Sequence, residues 1–379
     1  MPELIYLDHA ATTPLSRCAL EAMMPYLTEE FGNPSSIYQP GRKARTALDN
    51  AREKIASLFG AHPDEIYFTS GGTESDNWVI RAAEEFGDKR KRLVVSSVEH
   101  HAVLKPAQEM QRRGFELSLL PVDRSCRVLP ETLRKEADEK TALVSVMMAN
   151  NEVGTIMPIA ELASAAHEVG AWFHTDAVQA AGHIPINVEK LGIDMMSFSA
   201  HKFGGPKGIG GLYLRRGIRA GPGQLGGGQE RGLRAGTENV AGAVGMAAAL
   251  EESCRRVEEN ASRIAALRDR LIRGVLQIPG AILTGDPKNR LPGNASFLFE
   301  GASGEAIVFL LDRSGICASS GSACSAGALE PSHVLLAMGY SEEAARSSLR
   351  LTLGEENTEA DVTEVLKVLP GIISRLRAE

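Results

Sequence analysis

The sequence predicts an α/β fold, with a large domain built on a mainly parallel sheet under helices and a smaller α+β domain beside it. Three observations carry this. A chain of 379 residues exceeds what one compact core organises. Short apolar runs alternate with amphipathic stretches over most of its length. That alternation then gives way to shorter strands and helices after about residue 276.

The strand candidates are Arg92–Ser96, Ala142–Met148, Ala171–Thr175, Met195–Ser199 and Gly211–Arg215. Ala102–Arg113 and Ile159–Val169 lie between them with apolar residues at helical spacing. Alternation of this kind implies parallel strands with helices on both faces, and ligands then gather at the carboxyl ends of the strands. A long helical pattern runs from Asn239 to Leu276 behind the glycine-rich stretch Gly221–Gly236, and a helical tail covers Glu359–Arg377. Residues 14–255 are therefore assigned to the large domain, and residues 1–13 with 256–379 to the small one.

Composition narrows the function. The formal charge of -7 argues against a nucleic-acid binder, which needs a basic face. No apolar run reaches membrane-spanning length, and the first residues lack the pattern of a secretory signal. Five cysteines at wide spacing, without a C-x-x-C pair, are neither a disulfide framework nor a standing metal site. A cytoplasmic protein is expected. Cys317, within Gly315-Ile316-Cys317-Ala318, reads as a buried small hydrophobe.

Three segments carry chemistry. Thr69-Ser70-Gly71-Gly72-Thr73-Glu74 follows an apolar run and opens a helical pattern, Ser75–Phe86. Glycines there admit an anion to free N–H groups, although a plain glycine turn with a threonine cap has the same spelling. In His174-Thr175-Asp176-Ala177-Val178-Gln179, Asp176 closes an apolar run; a protonated pyridine nitrogen would satisfy it, and so would a helix N-cap role. In Ser199-Ala200-His201-Lys202, a lysine at a strand end is poorly solvated and suited to Schiff-base chemistry, although a surface lysine is the simpler reading of this segment alone. A phosphate cradle, a ring-nitrogen partner and an imine-forming lysine, in that order and each at a strand end, point to one cofactor.

Longer motifs agree. Leu7-Asp8-His9-Ala10-Ala11-Thr12-Thr13, Gly32-Asn33-Pro34-Ser35-Ser36, Glu99-His100, Ala149-Asn150-Asn151-Glu152, Arg234–Asn239 and Ser319–Cys324 join the segments above. Together they resemble the NifS/IscS-type cysteine desulfurases from Tyr6 to about Thr358. The resemblance implies the fold-type I pyridoxal-phosphate architecture, with a sheet of the seven-stranded type, and a homodimer. It implies L-cysteine as substrate, L-alanine as product, and a persulfide on Cys324. By the same resemblance Lys202 binds pyridoxal 5'-phosphate, His100 stacks on its ring, and Asp176 and Gln179 meet the ring nitrogen and phenol. Gly72, Thr73, Ser199 and His201 are the phosphate ligands, with Thr237 reaching in from the other subunit, and Ala200 is a further cofactor-binding residue. Asn151 and Arg350 hold the substrate carboxylate; outside the resemblance Arg350 reads as a surface arginine.

Cys324 lies among small residues, Ala318 to Gly327, as suits a thiol that must accept sulfur and present it elsewhere. An incidental loop cysteine is the alternative that the motif argues against. His101 stands where the family commonly has proline or asparagine, and His100 is chosen because it follows Glu99. Gly354-Glu355-Glu356-Asn357 replaces a stretch that is often basic. The resemblance further implies an iron-sulfur scaffold as sulfur acceptor, in housekeeping or nitrogenase cluster supply, with Cys324 as a transient cluster ligand. A selenocysteine lyase, an aminotransferase and a non-catalytic binding protein are the rival readings.

Overall fold

The computed structural model describes residues 4–321 and 330–378, so Cys324 lies outside the described residues. The strands, in chain order, begin with β1 (Ile5–Tyr6), β2 (Ile66–Thr69), β3 (Arg92–Ser96) and β4 (Glu116–Leu120). They continue with β5 (Thr141–Ser145), β6 (Trp172–Asp176), β7 (Met195–Ser199) and β8 (Gly210–Leu214). The last are β9 (Ala281–Leu283), β10 (Asn294–Phe299), β11 (Ile316–Cys317) and β12 (Ser348–Thr352).

Seven of these form one sheet in the order β2-β8-β7-β6-β5-β3-β4. All its pairings are parallel except those of β8, which is antiparallel to both β7 and β2. This positions the site. β6 and β7 run together, so Asp176 and Ser199 emerge at one edge of the sheet. The reversed β8 then pairs Gly210 with both Ser199 and Thr69, which brings the end of β2 to that same edge. Gly210 has to be glycine: a Cβ there would lie 2.7 Å from both Gly71 Cα and the Phe198 carbonyl oxygen.

β2, β5, β7 and β8 are buried throughout, as expected for strands covered on both faces. β9, β10 and β12 make a separate antiparallel sheet, and β1 pairs in parallel with β11. A second apolar cluster packs around these strands, with Leu7, Leu267, Leu271, Phe297, Leu349 and Val365 among its members.

The structure corrects several sequence readings. The helical pattern Asn239–Leu276 is two helices, Val240–Arg255 and Val257–Val275, interrupted at Arg256. The helix after β2 starts earlier than Ser75 and runs from Gly72 to Ala82, followed by 3-10 turns. β5 closes at Ser145 rather than Met148, although Val146 and Met148 still donate to the carbonyls of His174 and Asp176. Cys317 is only partly buried at the end of β11; among the described residues Cys126 is the fully buried thiol.

One ion pair ties a helix to the strand that leads into the glycine turn. Arg52, on helix Gln39–Phe59, meets the Glu230 carboxylate with both terminal nitrogens, at 2.8 and 2.6 Å. Their side chains are only 6% and 2% exposed. Arg52 also donates to the Ile66 carbonyl, and Glu230 accepts the Phe68 N–H, so the pair clasps β2. Glu230 keeps this position with a left-handed φ of 45°. Arg52→Ala strands a buried carboxylate and should lower stability by about 3–5 kcal/mol, read from the urea midpoint.

Candidate functional site

A cavity of about 240 Å³ opens at the sheet edge where β6 and β7 end. It is lined by Gly72, Thr73, His100, Asn151, Asp176, Gln179, Ser199, His201, Lys202 and Arg350, together with Ala10, Asp76, Met147 and Val178. The sequence-predicted residues are thus brought together with three exceptions. Ala200 is buried behind the lining, and Thr237 is exposed and does not line the cavity of its own chain. Cys324 lies outside the described residues.

The cavity has an anion end. Helix Gly72–Ala82 starts there with no side chain capping it, so its first N–H groups have no intrahelical acceptor. A Cβ at Gly72 would lie 2.6 Å from the Val178 methyl Cγ2, so only glycine leaves that wall in place. The hydroxyls of Thr73 and Ser199 and the His201 imidazole complete a donor set that suits a phosphate.

At the other side Asp176 gives one oxygen to the Val178 N–H at 2.8 Å. No helix begins there, so this is a local turn rather than the N-cap that the sequence left open. Burial pushes the Asp176 carboxyl up to about 6, against the pull of the Val178 N–H and of Lys202. Asp76 lines the same cavity from helix Gly72–Ala82 and is raised well above the usual range, by burial first and by Asp176 second. Sequence reasoning missed Asp76. Its spacing from Gly72 and Thr73 on one helix was the available signal, since residues three and four apart share a face.

Lys202 follows β7 in a short 3-10 turn. Its Nζ donates to the carbonyls of Ala10 at 2.6 Å and Ala11 at 2.8 Å. Gln179 Nε2 donates to the same Ala10 carbonyl at 2.9 Å. The role of the Ala10 carbonyl was invisible in sequence, because any residue carries one.

His100 and His101 separate clearly. The Nδ1 of His100 accepts the Ala102 N–H at 3.1 Å, which leaves the ring proton on Nε2. Burial, then Lys202 and His101, hold His100 down to about 4. His101 instead stacks on His333, with ring centroids 4.9 Å apart, and is not part of the cavity lining.

Arg350 overturns its reading as a surface residue, for it is 2% exposed in the middle of β12. Nη2 donates to Asp8 Oδ1 at 2.9 Å and Nη1 to the Asn151 carbonyl at 3.0 Å. Nε has no hydrogen-bond partner among the described residues. A carboxylate is the natural complement for a buried guanidinium with a donor to spare. Anion cradle, buried aspartate, strand-end lysine and guanidinium together fit pyridoxal phosphate and an amino acid.

Comparison with known proteins agrees with this donor set. The class-V aminotransferase family model matches residues 5–365. A curated relative from Methanosarcina thermophila, named cysteine desulfurase IscS, is 51% identical over 98% of this chain and 93% of its own length. A cysteine desulfurase of Gluconacetobacter diazotrophicus is 49% identical over 98% of this chain and 94% of its own. Among solved structures, a NifS-like protein superposes with a TM-score of 0.93 at 39% identity, covering 98% of this chain and 100% of that one. One titled SspA in complex with cysteine gives 0.83 at 34% identity, over 92% and 98% of the two chains.

The electrostatics around His100 are testable directly. The imidazole should stay neutral and Nε2-protonated until the pH falls to about 4. In Lys202→Ala the removed positive charge should let its pKa rise, while burial keeps it below the ordinary imidazole value of 6.5. Nitrogen-15 NMR of the ring reads both.

Proposed function

Because this chain belongs to the class-V aminotransferase family, we infer that it acts, like its relatives, as a pyridoxal-phosphate-dependent cysteine desulfurase that converts L-cysteine to L-alanine and supplies sulfur for iron-sulfur cluster assembly. The observation that carries the site assignment is the convergence of Lys202, Asp176, the Gly72–Thr73 helix start and Arg350 on one cavity.

When bound, the cofactor supplies a protonated pyridine ring that takes up electron density from the substrate Cα. Lys202 would hold the cofactor covalently, and its amine, when free, is placed to take the substrate Cα proton. Asp176 would keep the ring nitrogen protonated. Gln179 would serve the ring phenol, and His100 would turn its Nε2–H toward the ring. Gly72, Thr73, Ser199 and His201 would hold the phosphate, with the buried Ala200 behind them. Arg350 and Asn151 orient the substrate carboxylate, which places the substrate sulfur for attack.

Cys324 thiolate then attacks that sulfur. An S–S bond forms and the Cβ–S bond breaks, with its electron pair staying on carbon. Protonation of the carbon skeleton gives alanine, and the enzyme keeps a persulfide. A scaffold protein of cluster assembly then takes that sulfur; nitrogenase cluster supply is the narrower form of this reading.

A homodimer completes the site. Thr237 stands exposed and off its own cavity, which suits a phosphate contact across a subunit interface. Phe31, Ile37 and Leu225 are 80%, 89% and 84% exposed, and such side chains favour a covered surface. The division into 14–255 and the flanking segments is kept as a reading. The second apolar cluster, drawn from outside 14–255, supports it, although Leu291, Leu298 and Val334 belong to the main cluster. Among the described residues no helix is long and apolar enough to cross a membrane.

A visible spectrum before and after L-cysteine, followed by an alanine assay, tests this. Wild-type protein should carry cofactor absorbance that shifts on cysteine and should then form alanine. Cys324→Ala should keep the absorbance and its shift but form no alanine beyond the background. Lys202→Ala should lose covalently held cofactor. A wild-type chain that takes up no pyridoxal phosphate would overturn the catalytic reading.

A further inference from the structure

Glu152 has no part in the chemistry above, yet it sits where three parts of the site meet. It is 6% exposed, next to Asn151, whose carbonyl accepts from Arg350. Its Oε2 accepts the Ser332 hydroxyl. A Cβ placed on Gly321 would lie 2.9 Å from that same oxygen and 3.1 Å from Ser348 Oγ. The Gly321 N–H donates to Ser348 Oγ at 3.1 Å, and Ser332 Oγ also accepts the Leu335 N–H at 3.2 Å.

One carboxyl oxygen thus bonds Ser332 and packs against Gly321, though eleven positions separate the two in the chain. Cys324 lies between them, three residues beyond Gly321. Three residues span at most about 10 Å, and Gly321 is the last described residue before that stretch. Two residues before Gly321, Ser319 exchanges both backbone hydrogen bonds with Arg350, at 3.1 and 2.7 Å. The anchor of the thiol and the proposed holder of the substrate are thus parts of one bonded unit.

We propose that Glu152 is a positioning residue for sulfur transfer: its buried carboxyl bonds Ser332 and packs against Gly321 near Arg350, so that the chain leading to Cys324 begins from a set place beside the substrate site. This rests on the reading of Cys324 as the sulfur acceptor. The carboxyl is needed as an acceptor rather than as a charge. Burial, opposed by Ser332 and Arg350, holds it at about 7, and an amide oxygen can accept the same hydroxyl.

Three readouts separate the role from a general structural one. They are the absorbance change of the bound cofactor on adding L-cysteine, the KM for cysteine, and the single-turnover rate of Cys324 persulfide formation. In Glu152→Ala the first two should stay within about 2-fold of wild type while persulfide formation slows about 10- to 100-fold, as for a misplaced reactant. Glu152→Gln should restore most of that rate. Ser332→Ala, a milder change that leaves the carboxyl in place, should slow the same step in the same direction. Persulfide formation at the wild-type rate in both Glu152→Ala and Ser332→Ala would overturn the proposal. So would an equal loss of the absorbance change, because Glu152 would then be serving Asn151 and Arg350 instead. Cys324→Ala run in parallel separates the two failures. If it still forms alanine from cysteine, the acceptor reading fails and this role falls with it. If it is inert while Glu152→Ala is normal, only the role of Glu152 fails.

Discussion

A buried positive charge, the guanidinium of Arg350, is the constraint around which the other parts are arranged. A charge removed from water needs partners that replace its hydration. Here they come from far apart in the chain: Asp8 on one side and the Asn151 carbonyl on the other, with the Arg350 backbone paired to Ser319. Satisfying one side chain therefore draws residues 8, 151 and 319 to one point. The apolar neighbours Leu349 and Leu351 face the second cluster, so β12 presents its polar face to the cavity and its apolar face to its own core.

Buried carboxyls are a second feature of this region. Asp76 and Asp176 line the cavity and Glu99 is buried, and burial is the first cause that raises each of the three. Asp76 Oδ1 and Glu99 Oε2 have no hydrogen-bond partner among the described residues. Lys202 pulls on Asp176, which also keeps a backbone N–H. The negative charge of Asp176 raises Asp76 and Glu99 further. Asp176 is the one of the three that Lys202 draws toward its charged form, where a ring nitrogen needs it.

What could be read from the sequence follows from where each signal is stored. Asp176, Ser199 and the Gly71-Gly72 turn end or follow apolar strands, so local pattern and glycine placement displayed them. The antiparallel β8 could not be read that way, since a buried five-residue run looks the same in either direction. Arg350 misleads for a related reason. Ser348-Leu349-Arg350-Leu351-Thr352 alternates like a strand with one face in water, yet its polar face is packed against another part of the chain. The break at Arg256 has no proline or glycine to mark it. Only the longer motif resemblance located Asn151 and Arg350, because their roles depend on tertiary neighbours.

The Ala10 and Ala11 carbonyls that receive Lys202 belong to a segment held in place by the far end of the chain. β1 pairs with β11, Thr352 donates to the Leu7 carbonyl, and Asp8 is bound by Arg350. During synthesis those early residues leave the ribosome long before the partners that fix them exist. Contacts this distant in sequence form late and slowly. The same segment is also pinned beside Lys202, where the Thr13 N–H and hydroxyl both donate to the His201 carbonyl. A chain that ends before residue 350 keeps that half of the clamp and loses the half that Arg350 and Thr352 supply.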